Sequence, residues 1–342
     1  SHIAAQDKEE SFFDGIDVSL AGIADLAGNT PPAFLKDGLK QINDSVESAI
    51  ASFSAQDPSA IAGTLVKGLK ATDALVAEVK KSSLGAEEKY NVLHELTAKQ
   101  QQFNRALIAA LGVSVEADVV PAATQNGIPA EFRGTQTTFQ MAIPDQKFNV
   151  SVHLFNGGKS PVAVENVELT GSSGKSWNVK AEGEAPKQIE SGKASDVRFT
   201  ASVPEGEPFT RPYFTRPDME QSYYDLTNSA YRNKPLMPYP LAATVRFGFD
   251  GVTLETANVV QVISRVAGPG MVRNPMPVGP AVSLAISPSA GIVPLGEQSF
   301  PVSVRLHNNI EGKADESVHL ELPEGWTSEP KSIPIHFTQL GE

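Results

Sequence analysis

The sequence predicts a multidomain chain of the α plus all-β kind: an antiparallel helical bundle followed by tandem β-sandwiches, the second of them incomplete. Three observations predict it. Apolar residues in the first third recur at steps of three and four, whereas those in the remainder alternate with polar ones. A strand-like segment, KFNVSVHLFN at 147–156, returns as SFPVSVRLHN at 299–308. The length of 342 residues is enough for two or three domains with cores of their own.

The helical part runs from Asp17 to Leu111 within a bundle placed at 1–118. Leu35, Leu39, Ile42, Val46, Ala49 and Phe53 fall on one stripe. A second stripe is Ile61, Leu65, Leu69, Thr72, Val76 and Val79, and a third is Leu93, Leu96, Gln100, Phe103, Leu107 and Ala110. Pro31-Pro32 opens the first helix, Asp57-Pro58 the second, and Gly112 stops the last. A short helix near Asp17 to Leu26 completes the bundle. His94 and Glu95 sit in a V-L-H-E-L-T-A pattern, but the second histidine of a zinc helix is replaced by Ala98, so His94 reads as a surface residue.

A Pro/Ala/Gly linker is expected at 119–131, then a β-sandwich at 132–266. Phe148, Val150, Val152 and Leu154 alternate with polar neighbours, and Asn156-Gly157-Gly158 turns the chain. VAVENVELT, WNV, SDVRFTASV, LAATVRFGF and VTLETANVVQVISRV follow as strands. Asp250-Gly251 joins the last two as a tight hairpin. A second linker is placed at 267–280, and a partial second sandwich at 281–342. Phe148, Val150, Ser151, Val152, Leu154 and Asn156 are answered there by Phe300, Val302, Ser303, Val304, Leu306 and Asn308, and Trp177 by Trp326. Two copies of one inward-facing strand imply two immunoglobulin-like units. The second holds too few residues for about seven strands, so its sheet is expected to have an open edge and either to rest on the first sandwich or to pair that edge with another copy as a homodimer.

The insertion at 204–240 breaks the period. It carries seven prolines and seven aromatics, too apolar for a disordered tether. Arg211, Tyr213, Phe214, Arg216, Tyr223, Tyr224 and Tyr231 form its candidate recognition surface, for glycan or for domain docking. It is expected to pack as an ordered layer between domains, with Arg211 or Arg216 held by a carboxylate.

The run RPYFTRP, the segment MPYPLAATVRFGFDGVTLET and the exit VVQVISRVAGPGMVRNPMPVGPAVSL resemble the C-terminal part of large bacterial PIG-L (LmbE-like) deacetylases. SFFDGIDVSLAGIADLAG and KQQQFNRALIAALGV are similar to the same family's middle region, and LPEGW at 322–326 resembles a sandwich found on the C-terminal side of sugar-active enzymes. The resemblance implies a metal-dependent N-acetyl-sugar deacetylase, usually with zinc, whose catalytic domain lies N-terminal to these residues. Its A-H-P-D-D-like metal motif has no counterpart here, so no catalytic, cofactor-binding or metal residue is assigned and no cofactor is expected in this chain. The expected partners are the catalytic domain and an N-acetylated glycan. The alternative is an independent cell-surface binding or adhesion module.

A net charge of −12 with no basic run argues against nucleic acid. With no cysteine, disulfides and thiolate chemistry are excluded. No run is long enough to span a membrane, and the architecture suggests an exported, periplasmic or extracellular, protein. GSSGKS at 171–176 and NGGKS at 156–160 lack the first glycine of a phosphate loop and lie between strands, so they read as hairpin turns.

Overall fold

The computed structural model describes residues 13–15, 17–121, 136–234, 238–289, 296 and 299–342. Three helices come first: α1 (Ala33–Ser52), α2 (Ala62–Lys81) and α3 (Ala86–Ala110). Short connections make successive helices neighbours, and each turns its apolar stripe inward, except that Phe53 of the first stripe lies past the end of α1 and is 56% exposed. All six residues of the expected α2 stripe are buried. Thr72 is tolerated there because its hydroxyl donates to the Gly68 carbonyl at 2.8 Å. Gly68 is needed for contact: a Cβ at that position would lie 2.4 Å from the Phe103 ring of α3. The expected first helix is a 3-10 segment, Ala21–Ala27. Its entry is fixed locally, with the Ser19 amide donating to Asp17 Oδ1 at 2.8 Å and the Gly22 amide to Ser19 Oγ at 3.2 Å. It buries Ile23 and Ala24.

Gly112, at φ +65°, ends α3, and the chain enters β1 (Val113–Val120) at once. The boundary expected at 118 therefore falls inside a strand, and a linker beginning at 119 overlaps its end; 122–131 of that linker lie outside the described residues. VSVEADVV was hidden because it follows a helix without a break, although its alternation is regular.

A six-stranded sheet has the order β12-β11-β1-β2-β6-β4, and a four-stranded sheet the order β10-β9-β3-β5. The strands of the first are β2 (Lys147–Asn156), β4 (Asn178–Glu182), β6 (Lys193–Ser202), β11 (Gln261–Val266) and β12 (Gly270–Pro275) with β1. Those of the second are β3 (Val162–Gly171), β5 (Gln188–Ile189), β9 (Leu241–Phe249) and β10 (Val252–Val259). Neighbours pair antiparallel except β1 with β11. Asp250 and Gly251, at φ 45° and 74°, form the expected hairpin. Apart from Ile263 on β11, the buried apolar residues of both sheets and of the helices belong to one continuous core.

VTLETANVVQVISRV is two strands, because Val260 carries the chain from one sheet to the other: its amide donates to Leu241 O at 3.0 Å and its carbonyl accepts from Met276 at 2.9 Å. The linker expected at 267–280 is largely built into the first β unit. Gly270–Pro275 is strand β12, and Met276 and Val278 are buried. Positive φ at Gly268 and Gly270 supplies the tight turn before β12, and the Gly/Pro content that makes this turn obscured the strand.

No linker separates bundle and sheets. The Asn104 amide of α3 donates to the Glu255 carbonyl at 2.7 Å and accepts from the Glu255 amide at 2.9 Å, so one side chain satisfies both groups on edge strand β10. Lys70 donates to Asp250 O at 2.7 Å, Lys159 meets Asp57 at 2.7 Å, and the Gly157 amide donates to Gly112 O at 2.9 Å.

The C-terminal unit has β13 (Val282–Ser287) paired with β14 (Ser303–Asn308), and β15 (Ala314–Val318) paired with β16 (Ile333–Phe337). Pairing starts at Val282↔Asn308, as β1 and β2 start at Val113↔Asn156, and at Ala314↔Phe337, as β3 and β5 start at Val162↔Ile189. The polar details repeat as well. Buried Asn156 donates to Ser160 O and Ile189 O, both at 2.9 Å, and accepts from the Gly158 amide at 3.0 Å. Buried Asn308 donates to Ile310 O at 3.2 Å and Gln339 O at 2.9 Å, and accepts from the Ile310 amide at 3.0 Å. Phe148 meets Trp177 edge-on at 6.3 Å, and Phe300 meets Trp326 edge-on at 5.9 Å. Counterparts of β6, β9 and β10 do not occur among the described residues of this unit. Leu284 is accordingly 71% exposed and Ile286 46%, at the register positions where Val115 and Ala117 are buried.

Candidate functional site

The candidate surface is the excursion between β6 and β9, held at its root by the first β unit. The Thr210 amide donates to Val278 O at 2.8 Å, and the Val278 amide donates to Thr210 Oγ1 at 2.9 Å. Pro240 is buried at the other end, its carbonyl accepting from the Ser172 amide at 3.1 Å. Glu207 anchors the entry. It is 4% exposed and accepts from Ser173 Oγ at 2.7 Å. Burial pushes its carboxyl above the ordinary glutamate value, and the Ser173 hydroxyl, the Trp177 indole and the Lys175 charge only partly offset this.

Beyond these anchors the loop builds a small ring cluster of its own. Strands β7 (Phe214–Thr215) and β8 (Asp225–Leu226) pair. The Tyr213 ring meets Phe214 at 5.4 Å and Tyr231 at 6.1 Å, and Phe214 meets Tyr224 at 5.1 Å, all edge-on. Tyr213 also binds the cluster together through its polar atoms: its hydroxyl donates to Lys234 O at 2.9 Å, and its carbonyl accepts from the Thr227 amide and hydroxyl at 2.9 and 3.0 Å.

The structure thus brings Tyr213, Phe214, Tyr224 and Tyr231 together. Tyr223 stands outside the ring contacts and is exposed. Arg211 lies over the Phe209 ring, 5.9 Å from its centroid. Arg216 donates to the Met219 carbonyl. Among the described residues neither arginine pairs with a carboxylate, which corrects that expectation: a ring takes Arg211 and a main-chain carbonyl takes Arg216. The expected layer buried between domains is corrected too, since Phe214 is 42% and Tyr224 59% exposed. Sequence reasoning missed Thr227, Lys234 and the Thr210–Val278 clasp; no local pattern marks partners separated by so many residues.

Of the loop's acids, Asp218 accepts from the Glu220 amide at 2.9 Å in a local turn, and Glu207 serves the anchor. Among the described residues no group of three His, Cys, Asp or Glu side chains is placed to hold a metal. His153 with Asp196 at 2.8 Å and His336 with Asp315 at 2.6 Å are exposed cross-strand pairs, too few in ligands for zinc. His94 is exposed on α3 and stacks with Tyr90 at 6.3 Å. The arrangement offers ring faces and hydrogen-bonding groups, which is the chemistry of binding.

No family model and no curated protein matches this chain. Among solved structures, a FixG-related protein from Vibrio parahaemolyticus is similar at 9% identity and TM-score 0.20, over 43% of this chain and 93% of that one. The Pseudomonas fluorescens alkylpurine DNA glycosylase AlkC, bound to DNA containing an abasic site analog, is similar at 13% identity and TM-score 0.19, over 61% of this chain and 48% of that one. At these scores neither likeness carries an argument. Among the described residues no helix is long and apolar enough to cross a membrane.

Proposed function

We propose that this chain is an accessory, non-catalytic region of a PIG-L-like, metal-dependent N-acetyl-sugar deacetylase, and that it positions the catalytic domain or its glycan. The reading includes two tandem immunoglobulin-like sandwiches, the second incomplete, and an exported location. One observation carries it: a cluster of exposed rings, Phe214, Tyr224 and their neighbours, stands on a root clamped to a continuous core. Exposed rings normally cost a protein solubility, so a fold that clamps them in place keeps them for recognition. In this reading the zinc of the parent enzyme would sit in the catalytic domain.

The test is hydrogen exchange with a PIG-L-type catalytic domain and, separately, with an N-acetylated oligosaccharide. Protection over 209–231 by the catalytic domain supports the docking role; protection by the sugar supports glycan positioning, and with no binding to the catalytic domain it favours an independent binding module. Phe214→Ala and Tyr224→Ala should abolish that protection without lowering the melting temperature, because both side chains are exposed. Absence of protection by either ligand refutes both readings.

A further inference from the structure

We propose that the groove between the C-terminal halves of α1 and α3 binds a single-chain carboxylate amphiphile, a free fatty acid of medium chain length. The 3-10 segment Ala21–Ala27 packs against both helices and covers one part of the space between them. Past Leu20 the groove continues as a cavity of about 300 Å³. Buried Ile42, Leu65 and Phe103 form its floor. Ile50 and Phe53, 71% and 56% exposed, stand at its rim. The proportions select the ligand's shape. The lining follows α1 from Ile42 to Phe53, a rise of about 16 Å, so the mean cross-section is about 19 Å². That is room for one file of methylene groups and too narrow for a fused ring or a pair of acyl chains.

The charge of the head group follows from the wall on α3. Lys99 and Gln102 are the polar residues lining the cavity, and at a separation of three they share one face of the helix. Lys99 is half-buried and makes no hydrogen bond or ion pair among the described residues, although Glu95 stands one turn before it. A lysine so placed lays its stem along the apolar wall and holds its ammonium at the water's edge. Gln102 is exposed beside it and supplies amide donors. A carboxylate at the mouth is then met by a cation and an N–H group, while its chain lies against the floor.

The probe is sodium dodecanoate, kept below its micelle concentration and titrated into the intact chain by calorimetry and amide NMR. One equivalent should bind, with shifts confined to 42–53, 61–65 and 99–106. Lys99→Gln should weaken dodecanoate at least about tenfold and leave dodecanol unchanged, since only the acid uses the charge. Ala106→Phe, at an exposed position lining the cavity, should abolish binding of both. Melting of the ligand-free variants confirms that each still folds. No binding of dodecanoate, equal loss of acid and alcohol in Lys99→Gln, or equal affinity for dodecyltrimethylammonium would overturn the proposal. Binding of phosphatidylglycerol vesicles without binding of the free acid would overturn it as well, by assigning the groove to a bilayer surface. So would protection of 42–53 by a catalytic domain or by self-association that dodecanoate does not displace, because a protein surface would then be the occupant.

Discussion

Removing the side chain of Asn156 tests whether the turn between β2 and β3 is held by that one amide. Asn156→Ala deletes two donors and one acceptor at a fully buried position. Ile189 O is left in the core, where an unsatisfied carbonyl costs about 1–3 kcal/mol. Ser160 O and the Gly158 amide lie nearer solvent, and water can replace part of each bond, leaving about 1 kcal/mol apiece. The expected loss is about 3–5 kcal/mol. Urea unfolding read from Trp177, in a Trp326→Phe background, reports it, because Trp177 packs against Phe148 on β2. Asn308→Ala deletes the same three contacts in a unit with little covered core. Read from Trp326 in a Trp177→Phe background, it should cost about 1–2 kcal/mol and leave the Trp177 transition in place. A loss below about 1 kcal/mol for Asn156→Ala would refute the reasoning, since the turn would then hold without its amide.

Gly68→Ala gains about 1 kcal/mol of helix propensity but drives a methyl into Phe103, and overpacking of about 1–3 kcal/mol should leave a net loss near 1 kcal/mol in thermal or urea unfolding. Asn104→Ala should speed exchange of the Glu255 amide with a stability loss of about 1 kcal/mol, because that amide lies on an exposed edge where water can replace the lost partner. Glu207 has its carboxyl pKa raised by burial, so the folded state binds the proton more tightly than the unfolded state. Its contribution is fully present below the ordinary glutamate value and is lost as pH rises through the raised one. Glu207→Gln should therefore flatten the fall in melting temperature over that window, and an unchanged slope would assign the fall to another group.

The stripes on α1, α2 and α3, the Asp250-Gly251 hairpin and the Phe148/Phe300 repeat were legible because each is a local period or a short motif. What stayed hidden depends on position along the chain. β1 follows a helix without a break, β12 lies in Gly/Pro-rich sequence, and Val260 belongs to both sheets, so periodicity has no interruption to mark it. Of the candidate surface, the ring composition was legible. Its arrangement was not, because Tyr213 is organised by Thr227, Tyr231 and Lys234, and pairings across a loop leave no signature in spacing.

The direct passage of α3 through Gly112 into β1, with Asn104 and Lys70 clasping the β9–β10 hairpin, leaves the helices no hinge of their own. In solution they should tumble with the sheets, giving amides in 33–110, 147–202 and 241–275 a single rotational correlation time by NMR relaxation. Mechanically the bundle is then a lever arm. Whatever presses on α1 or α2 turns the sheets by the same angle, and with them the root on which Tyr213, Phe214, Tyr224 and Tyr231 are carried.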